Sequence, residues 1–238
     1  MIVIPMAGRS QRFTDAGYDR PKYMLTLQGR SIFTHAVGSF EAEFARTPFL
    51  FIVGPDAGAG DFVRIGCAGL GVADVRVVAL DQPTAGQAET VERGLEGVAD
   101  RTALTIFNVD TFRPGFTFPG GLLEGLDGWL EVFRGAGANW SYVKPAPGPE
   151  PLALETAEKR PISDLCCTGL YHFARAGDFR AALAEERAAP QAAELYVAPI
   201  YNHLIRKGAR IGYRLIGTNE VVFCGTPTEY VALLSGPG

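Results

Sequence analysis

The chain has 238 residues and a formal net charge of −4, with 47% hydrophobic and 20% charged residues. Such a composition fills a complete core, which excludes disordered and fibrous classes. Acidic and basic residues are mixed along the chain, against an extended nucleic-acid footprint, and no apolar run reaches the roughly 18 residues of a membrane span.

Apolar runs alternate with amphipathic stretches, the pattern of βαβ units around a mostly parallel sheet, so an α/β fold is expected. Met1–Pro5 is predicted as the first strand and Ser31–Phe44 as a helix, with apolar residues at helical spacing. Phe49–Val53 follows as a strand, then a helix near Asp61–Gly69, a strand at Val75–Leu80 and a helix at Ala88–Leu95. Ala103–Asn108 is a strand apolar on both faces. After Asp110 the chain turns rich in Gly, Pro and aromatics. Strands are then predicted at Trp129–Phe133 and Leu165–Phe173, with a loop at Pro145–Pro151. Helices follow at Asp178–Arg187 and Tyr196–Lys207, strands at Arg210–Ile216 and Val221–Phe223, and a closing helix at Thr226–Leu234. No linker separates domains, so residues 1–238 are expected to form one domain. Its nucleotide-binding half would be 1–111 and its acceptor-binding half 112–238.

The four cysteines, Cys67, Cys166, Cys167 and Cys224, form no CxxC pair. They read as buried thiols in a reducing cytoplasm, and no signal peptide precedes the first strand.

Three segments carry chemistry. The first strand runs into a loop of small and basic residues, Ala7, Gly8, Arg9, Ser10 and Arg12, and on to Pro21-Lys22. Exposed N–H groups in such a loop form a nest for anions, Gly8 permits close approach, and Arg12 and Lys22 add cationic donors. Taken alone it is equally a surface turn. Gln82-Pro83-Thr84-Ala85-Gly86-Gln87-Ala88 opens a helix; Gln82 offers a donor and an acceptor to a base edge, though an ordinary cap loop would look the same. Asp110, two residues beyond Asn108, stands where ligands gather in open α/β sheets and suits a hard cation; a lone Asp there is otherwise a turn residue.

Together these segments resemble the NTP-transferase superfamily, the sugar-1-phosphate nucleotidyltransferases and cytidylyltransferases. The resemblance is to AGxxxRF followed by Pro-Lys, to QPxxxGxA, and to a strand-end aspartate, here Asp110. It implies a Rossmann-like three-layer α/β/α sandwich, with a mixed, mostly parallel sheet of the GT-A-like kind. It also implies transfer of NMP from an NTP to a sugar-1-phosphate or similar phosphorylated acceptor, with release of pyrophosphate. Arg12 and Lys22 would be catalytic. Ala7, Gly8, Arg9, Ser10, Gln82 and Gly86 would hold the nucleotide, and Asp110 would hold Mg²⁺. Glu158-Lys159 and the later Thr168-Gly169-Leu170-Tyr171 resemble the family's EKP…TGLY stretch, so Asn108, Glu158, Lys159 and Gly169 are the expected acceptor contacts. Glu158 and Lys159 are equally a solvated pair.

Near the C-terminus, Phe223-Cys224-Gly225-Thr226-Pro227 resembles the family's DIGTP, but Phe223 replaces the second metal-binding aspartate. A nucleotide-binding protein with weak catalysis therefore stays open as an alternative. A GT-A-type glycosyltransferase is the less favoured one, since no DxD is present. The resemblance implies a part in the supply of capsule or lipopolysaccharide precursors, while the cysteines, charge and hydropathy point to the cytoplasm with no nucleic-acid or membrane partner. Homo-oligomerisation is left open.

Overall fold

Ile2, Val3 and Ile4 are fully buried, as a strand covered on both faces requires. In the computed structural model, which describes residues 1–56, 58–121 and 124–236, they open the strand Ile2–Met6. The chain gathers into two compact units. One comprises Met1–Val3, Thr84–Phe107 and Phe118–Thr218; the other comprises Ile4–Pro83, Asn108–Thr117 and the chain from Asn219 onward. We call them the sheet unit and the loop unit.

The sheet unit is organised on the nine-residue strand Leu165–Phe173. Its second half pairs antiparallel with Leu104–Phe107, with Leu170 opposite Phe107. It also pairs antiparallel with Gly128–Arg134 and, through Cys166 opposite Tyr142, with Ser141–Pro145. Ala153–Glu158 lies antiparallel to Ser141–Pro145. Two pairings are parallel: Ile2 and Val3 with Thr105 and Ile106, and Ile211–Ile216 with Gly128–Arg134. The register against Gly128–Arg134 shifts between Cys167 and Tyr171, where Gly169 has φ +96°. A bulge with a left-handed residue is where glycine is needed. Three helices, Gln87–Gly94, Ala176–Ala188 and Tyr201–Arg206, complete the unit. The buried Tyr201 ring stacks on Phe173 at 4.3 Å, and its hydroxyl donates to the His172 carbonyl at 2.8 Å.

In the loop unit, Phe49–Val53 runs parallel to Val75–Ala79, from Phe49 opposite Val75 to Val53 opposite Ala79. The buried rings of Phe33, Phe40, Phe49 and Phe51 form its core, with Phe33 and Phe51 centred 5.5 Å apart. Gln28 (φ 50°) and Gly29 (φ 79°) make the two-residue turn between Thr26–Leu27 and Arg30–Ser31. Thr111–Phe112 pairs antiparallel with Val222–Phe223. The closing helix Pro227–Ser235 has a capping box between Thr226 and Glu229.

Two helices are shorter than expected and two strands were not foreseen. The helix predicted over Tyr196–Lys207 is a 3-10 turn at Ala198–Ile200 followed by Tyr201–Arg206. The helix predicted over Ser31–Phe44 spans only Ile32–Gly38, with a separate 3-10 turn at Glu41–Glu43. Gly38 and Ser39 are weak helix formers, and the Ser39 hydroxyl accepts from the Arg113 N–H at 2.8 Å, a tertiary bond that favours the break. The loop predicted at Pro145–Pro151 joins two strands, Ser141–Pro145 and Ala153–Glu158, that the apolar pattern did not reveal. Their polar residues and terminal proline weaken the strand signal.

His172 is two-sided: its ring stacks on Trp129 at 6.1 Å, and Nδ1 lies 3.0 Å from the Thr105 hydroxyl. Burial, aided by the N-terminal ammonium, pushes its pKa down to about 4. The folded state thus resists protonation of this imidazole. The resulting stability is complete above the unfolded value near 6.5 and is lost as pH falls through that value toward 4, by about 3 kcal/mol. Urea unfolding at pH 7 and pH 4 should show that loss, and His172→Gln should shrink the difference by most of this amount.

Candidate functional site

In the loop unit the first strand delivers Ala7, Gly8 and Arg9 to a turn that Ser10 closes. Ser10 takes the left-handed conformation, φ 52° and ψ 30°, at the start of a short helix, Gln11–Asp15. Its carbonyl accepts from the N–H groups of Phe13 (2.8 Å) and Thr14 (3.2 Å), and its hydroxyl accepts from the Lys22 N–H at 3.2 Å. One serine therefore brings the two ends of the loop together. Space beside Gly8 is open, since an added Cβ would meet nothing within 4 Å. Arg9 and Arg12 are exposed and, among the described residues, enter no ion pair. Next to Lys22, the buried Tyr23 hydroxyl has no partner among the described residues; burial first, then the Asp56 charge, pushes its pKa up to about 12.

Lys22 Nζ donates to Asp110 Oδ2, a pair that joins positions 88 residues apart. Both side chains are mostly shielded, at 24% and 17% exposure, so the pair is screened less than a surface one. The Asp110 carbonyl accepts from the Cys224 N–H at 2.8 Å. Glu229 accepts from the Gly225 and Thr226 N–H groups, both at 2.9 Å. That cap presses Gly225 against the carboxylate: a Cβ there would come 3.0 Å from Asp110 Oδ2. The Tyr230 hydroxyl donates to the Thr26 carbonyl at 2.7 Å, and the Phe13, Tyr18 and Tyr230 rings lie 5.5–6.2 Å apart. The C-terminal helix thus braces both the basic loop and Asp110. Phe223 sits opposite Thr111, the residue after Asp110. Cys224 is buried; its pKa is pushed up to about 12 by burial and by the charges of Asp110 and Glu229, against Lys22.

Of the other expected residues in this unit, Gln82 is exposed, and the Asn108 carbonyl accepts from the Thr111 N–H at 3.3 Å. Among the described residues no three His, Cys, Asp or Glu side chains gather as a metal cluster. The roles of Gly225 and Glu229 were hidden in the sequence, where GTP read only as a helix start.

Gly86, Glu158, Lys159 and Gly169 belong to the sheet unit. Gly86 has φ +151°, and a Cβ on it would lie 2.6 Å from both the N and the O of Leu195. The face that its missing side chain leaves is therefore filled by backbone. Leu195 donates to the Ala85 carbonyl at 2.9 Å and accepts from the Ala88 N–H at 2.8 Å. Glu158 accepts from the Ser141 hydroxyl, and burial raises its pKa, with the Ser141 bond and Lys159 opposing. Lys159 has φ +54°, and its ammonium donates to the Tyr196 hydroxyl at 2.6 Å.

Gly86→Ala is expected to destabilise the protein by about 2 kcal/mol or more, through strain and overlap with Leu195. The denaturant midpoint checks this; Gly8→Ala should change it far less.

No protein-family model matches the sequence, and no curated protein matches it. Solved structures do. A nucleoside-diphosphate-sugar pyrophosphorylase from Vibrio cholerae RC9 is 50% identical, over 99% of this chain and 100% of that one, with a TM-score of 0.94. The inositol-1-phosphate CTP transferase of T. maritima is 14% identical, over 98% and 94% of the two chains, with a TM-score of 0.73. UTP-bound UGPase from Acinetobacter baumannii is 16% identical, over 98% and 91%, with a TM-score of 0.69. The shared fold is the Rossmann-like one expected, a mixed, mostly parallel sheet with helices.

Proposed function

This chain belongs to the nucleoside-diphosphate-sugar pyrophosphorylases of the NTP-transferase superfamily, and we propose that it transfers the NMP group of an NTP to a sugar-1-phosphate or similar phosphorylated acceptor. The observation that carries this reading is the Lys22–Asp110 pair at the foot of the Ala7–Arg12 loop. An acceptor phosphate oxygen attacks the α-phosphorus in line, the bond to the β-phosphate oxygen breaks, and pyrophosphate leaves. The nucleophile is already ionised and needs no histidine base.

Gly8 and the loop N–H groups would cradle the phosphates, with Ala7, Arg9 and Ser10 shaping the nest. Lys22, held in place by Asp110, and Arg12, whose guanidinium enters no ion pair among the described residues, would stabilise the charge that grows on the phosphate oxygens. Gln82 and Gly86 are assigned to the base. Asn108, Glu158, Lys159 and Gly169 are assigned to the acceptor. Asp110 supplies a single carboxylate, and that donor set fits a cation carried mainly by phosphate oxygens and water, as Mg²⁺ is. When bound, such an ion would neutralise charge on the triphosphate. Among the described residues no helix is long and apolar enough to cross a membrane. A cytoplasmic setting, in the supply of capsule or lipopolysaccharide precursors, completes the reading.

The purified protein is tested with each NTP, Mg²⁺ and a panel of sugar-1-phosphates and phosphorylated alcohols, with pyrophosphate as the readout. One pair should release pyrophosphate well above the rest. Lys22→Ala should lower kcat about 10²–10³-fold, the scale set by loss of one preorganised donor. Full activity of Lys22→Ala would refute the assignment. Phe223 favours a second reading, a nucleotide-binding protein with slow turnover; NTP-dependent thermal stabilisation without pyrophosphate release would select it.

A further inference from the structure

The segment Glu194-Leu195-Tyr196 touches both turns of the sheet unit that are assigned to substrates above. Leu195 is bonded through its backbone N–H to Ala85 and through its carbonyl to Ala88, on either side of Gly86. The next residue, Tyr196, accepts a hydrogen bond from the Lys159 ammonium at 2.6 Å, which lies 4.7 Å from its ring centre. A network between the exposed Gln191 and the buried Glu186 and His203 holds the flank of this segment. Gln191 donates to Glu186 at 2.5 Å and to the Pro199 carbonyl at 3.0 Å, and His203 lies 2.6 Å from Glu186. With Leu195 fixed on both sides, Tyr196 has little freedom to drift.

Lys159 is a non-glycine residue in the left-handed region, a conformation that costs energy and persists only where surroundings enforce it. Its own N–H donates to the Trp140 carbonyl at 2.9 Å. Its neighbour Glu158 is engaged by Ser141 and, among the described residues, no ion pair joins Glu158 to Lys159. An ammonium has three donors. Tyr196 takes one without neutralising the charge and leaves two for a ligand. Had Glu158 taken the ammonium, both groups would have been spent on each other.

We infer that Tyr196 is a positioning residue for the phosphorylated acceptor: it aims the Lys159 ammonium while Glu158 stays available for a hydroxyl. The pairing suits an acceptor with adjacent hydroxyls, one donating to the carboxylate and the next accepting from the ammonium. The same segment, through Leu195, locks the Gly86 turn, so acceptor geometry is tied to the turn assigned to the base. This inference rests on the proposed transfer reaction.

Tyr196→Phe removes only the hydroxyl and keeps the ring that packs there. Steady-state kinetics are measured with the NTP and sugar-1-phosphate that give the fastest pyrophosphate release. The Kd of the same sugar-1-phosphate is measured by calorimetry. KM and Kd for the acceptor should rise about tenfold, the size of one hydrogen bond to a charged group, with kcat, the NTP KM and the thermal midpoint within about twofold or a degree or two. Unchanged acceptor constants would overturn the inference and leave the transfer reaction standing. So would a joint fall in kcat, both affinities and the midpoint, which marks a merely structural tyrosine. If no NTP and sugar-phosphate pair gives turnover, the transfer reading fails. Calorimetry on the panel then decides alone: a weakened Kd in Tyr196→Phe supports the positioning role, and no binding by the wild type overturns it.

Discussion

The ion pair between Lys22 and Asp110 is the constraint on which the loop unit turns. A lysine at the end of a basic loop needs a counter-charge, and the structure supplies one from 88 residues away. Everything around it serves that meeting. Ser10 draws Lys22 back to the loop, the Cys224 N–H fixes the Asp110 backbone, and the Glu229 cap presses Gly225 beneath the carboxylate. Because both partners are largely shielded, a triphosphate that competes for Lys22 would meet a cation already desolvated and already aimed. Little reorganisation is then left for the transition state.

Legibility in the sequence followed the strength of local signals. Phe49–Val53 and Leu165–Phe173 match their expected spans residue for residue, the first an unbroken run of aromatic and aliphatic residues, the second largely apolar with Thr168, Gly169 and His172 set within it. Ser141–Pro145 and Ala153–Glu158 escaped, since Lys144, Glu155 and Glu158 interrupt any alternation and the sheet itself decides their conformation. Within the basic loop the spacing from Ala7 to Lys22 could be read, but not the fold-back through the Ser10 hydroxyl. Leu195 carried no readable signal, and Tyr196 read only as the start of a helix. Backbone pairing and a single phenol oxygen leave no composition or periodicity behind.

Glycines show why residue type alone under-determines function. Gly8 and Gly86 both stand in segments that read as nucleotide contacts. Beside Gly8 there is open space, so a ligand can approach the backbone directly. Beside Gly86 the Leu195 backbone already occupies the position of a Cβ. The first glycine leaves room, while the second lets two strands of backbone meet; only the second is expected to matter strongly for stability. A contribution of Gly86 to base binding would then be indirect, through the path that the turn takes, rather than through an empty face.

Phe223 bears on the same distinction between charge and position. It pairs with Thr111, the residue after Asp110, in a two-stranded ladder, and its side chain cannot ligate an ion. Replacing a carboxylate there removes one negative charge from the neighbourhood of Lys22. Among the described residues Lys22 pairs with Asp110 alone, and on the proposed reading more of the countercharge to a triphosphate would fall to Lys22 and Arg12. On the proposed reading such a site would lean on its basic residues, and Arg12, exposed and outside any ion pair among the described residues, would take part of the added share.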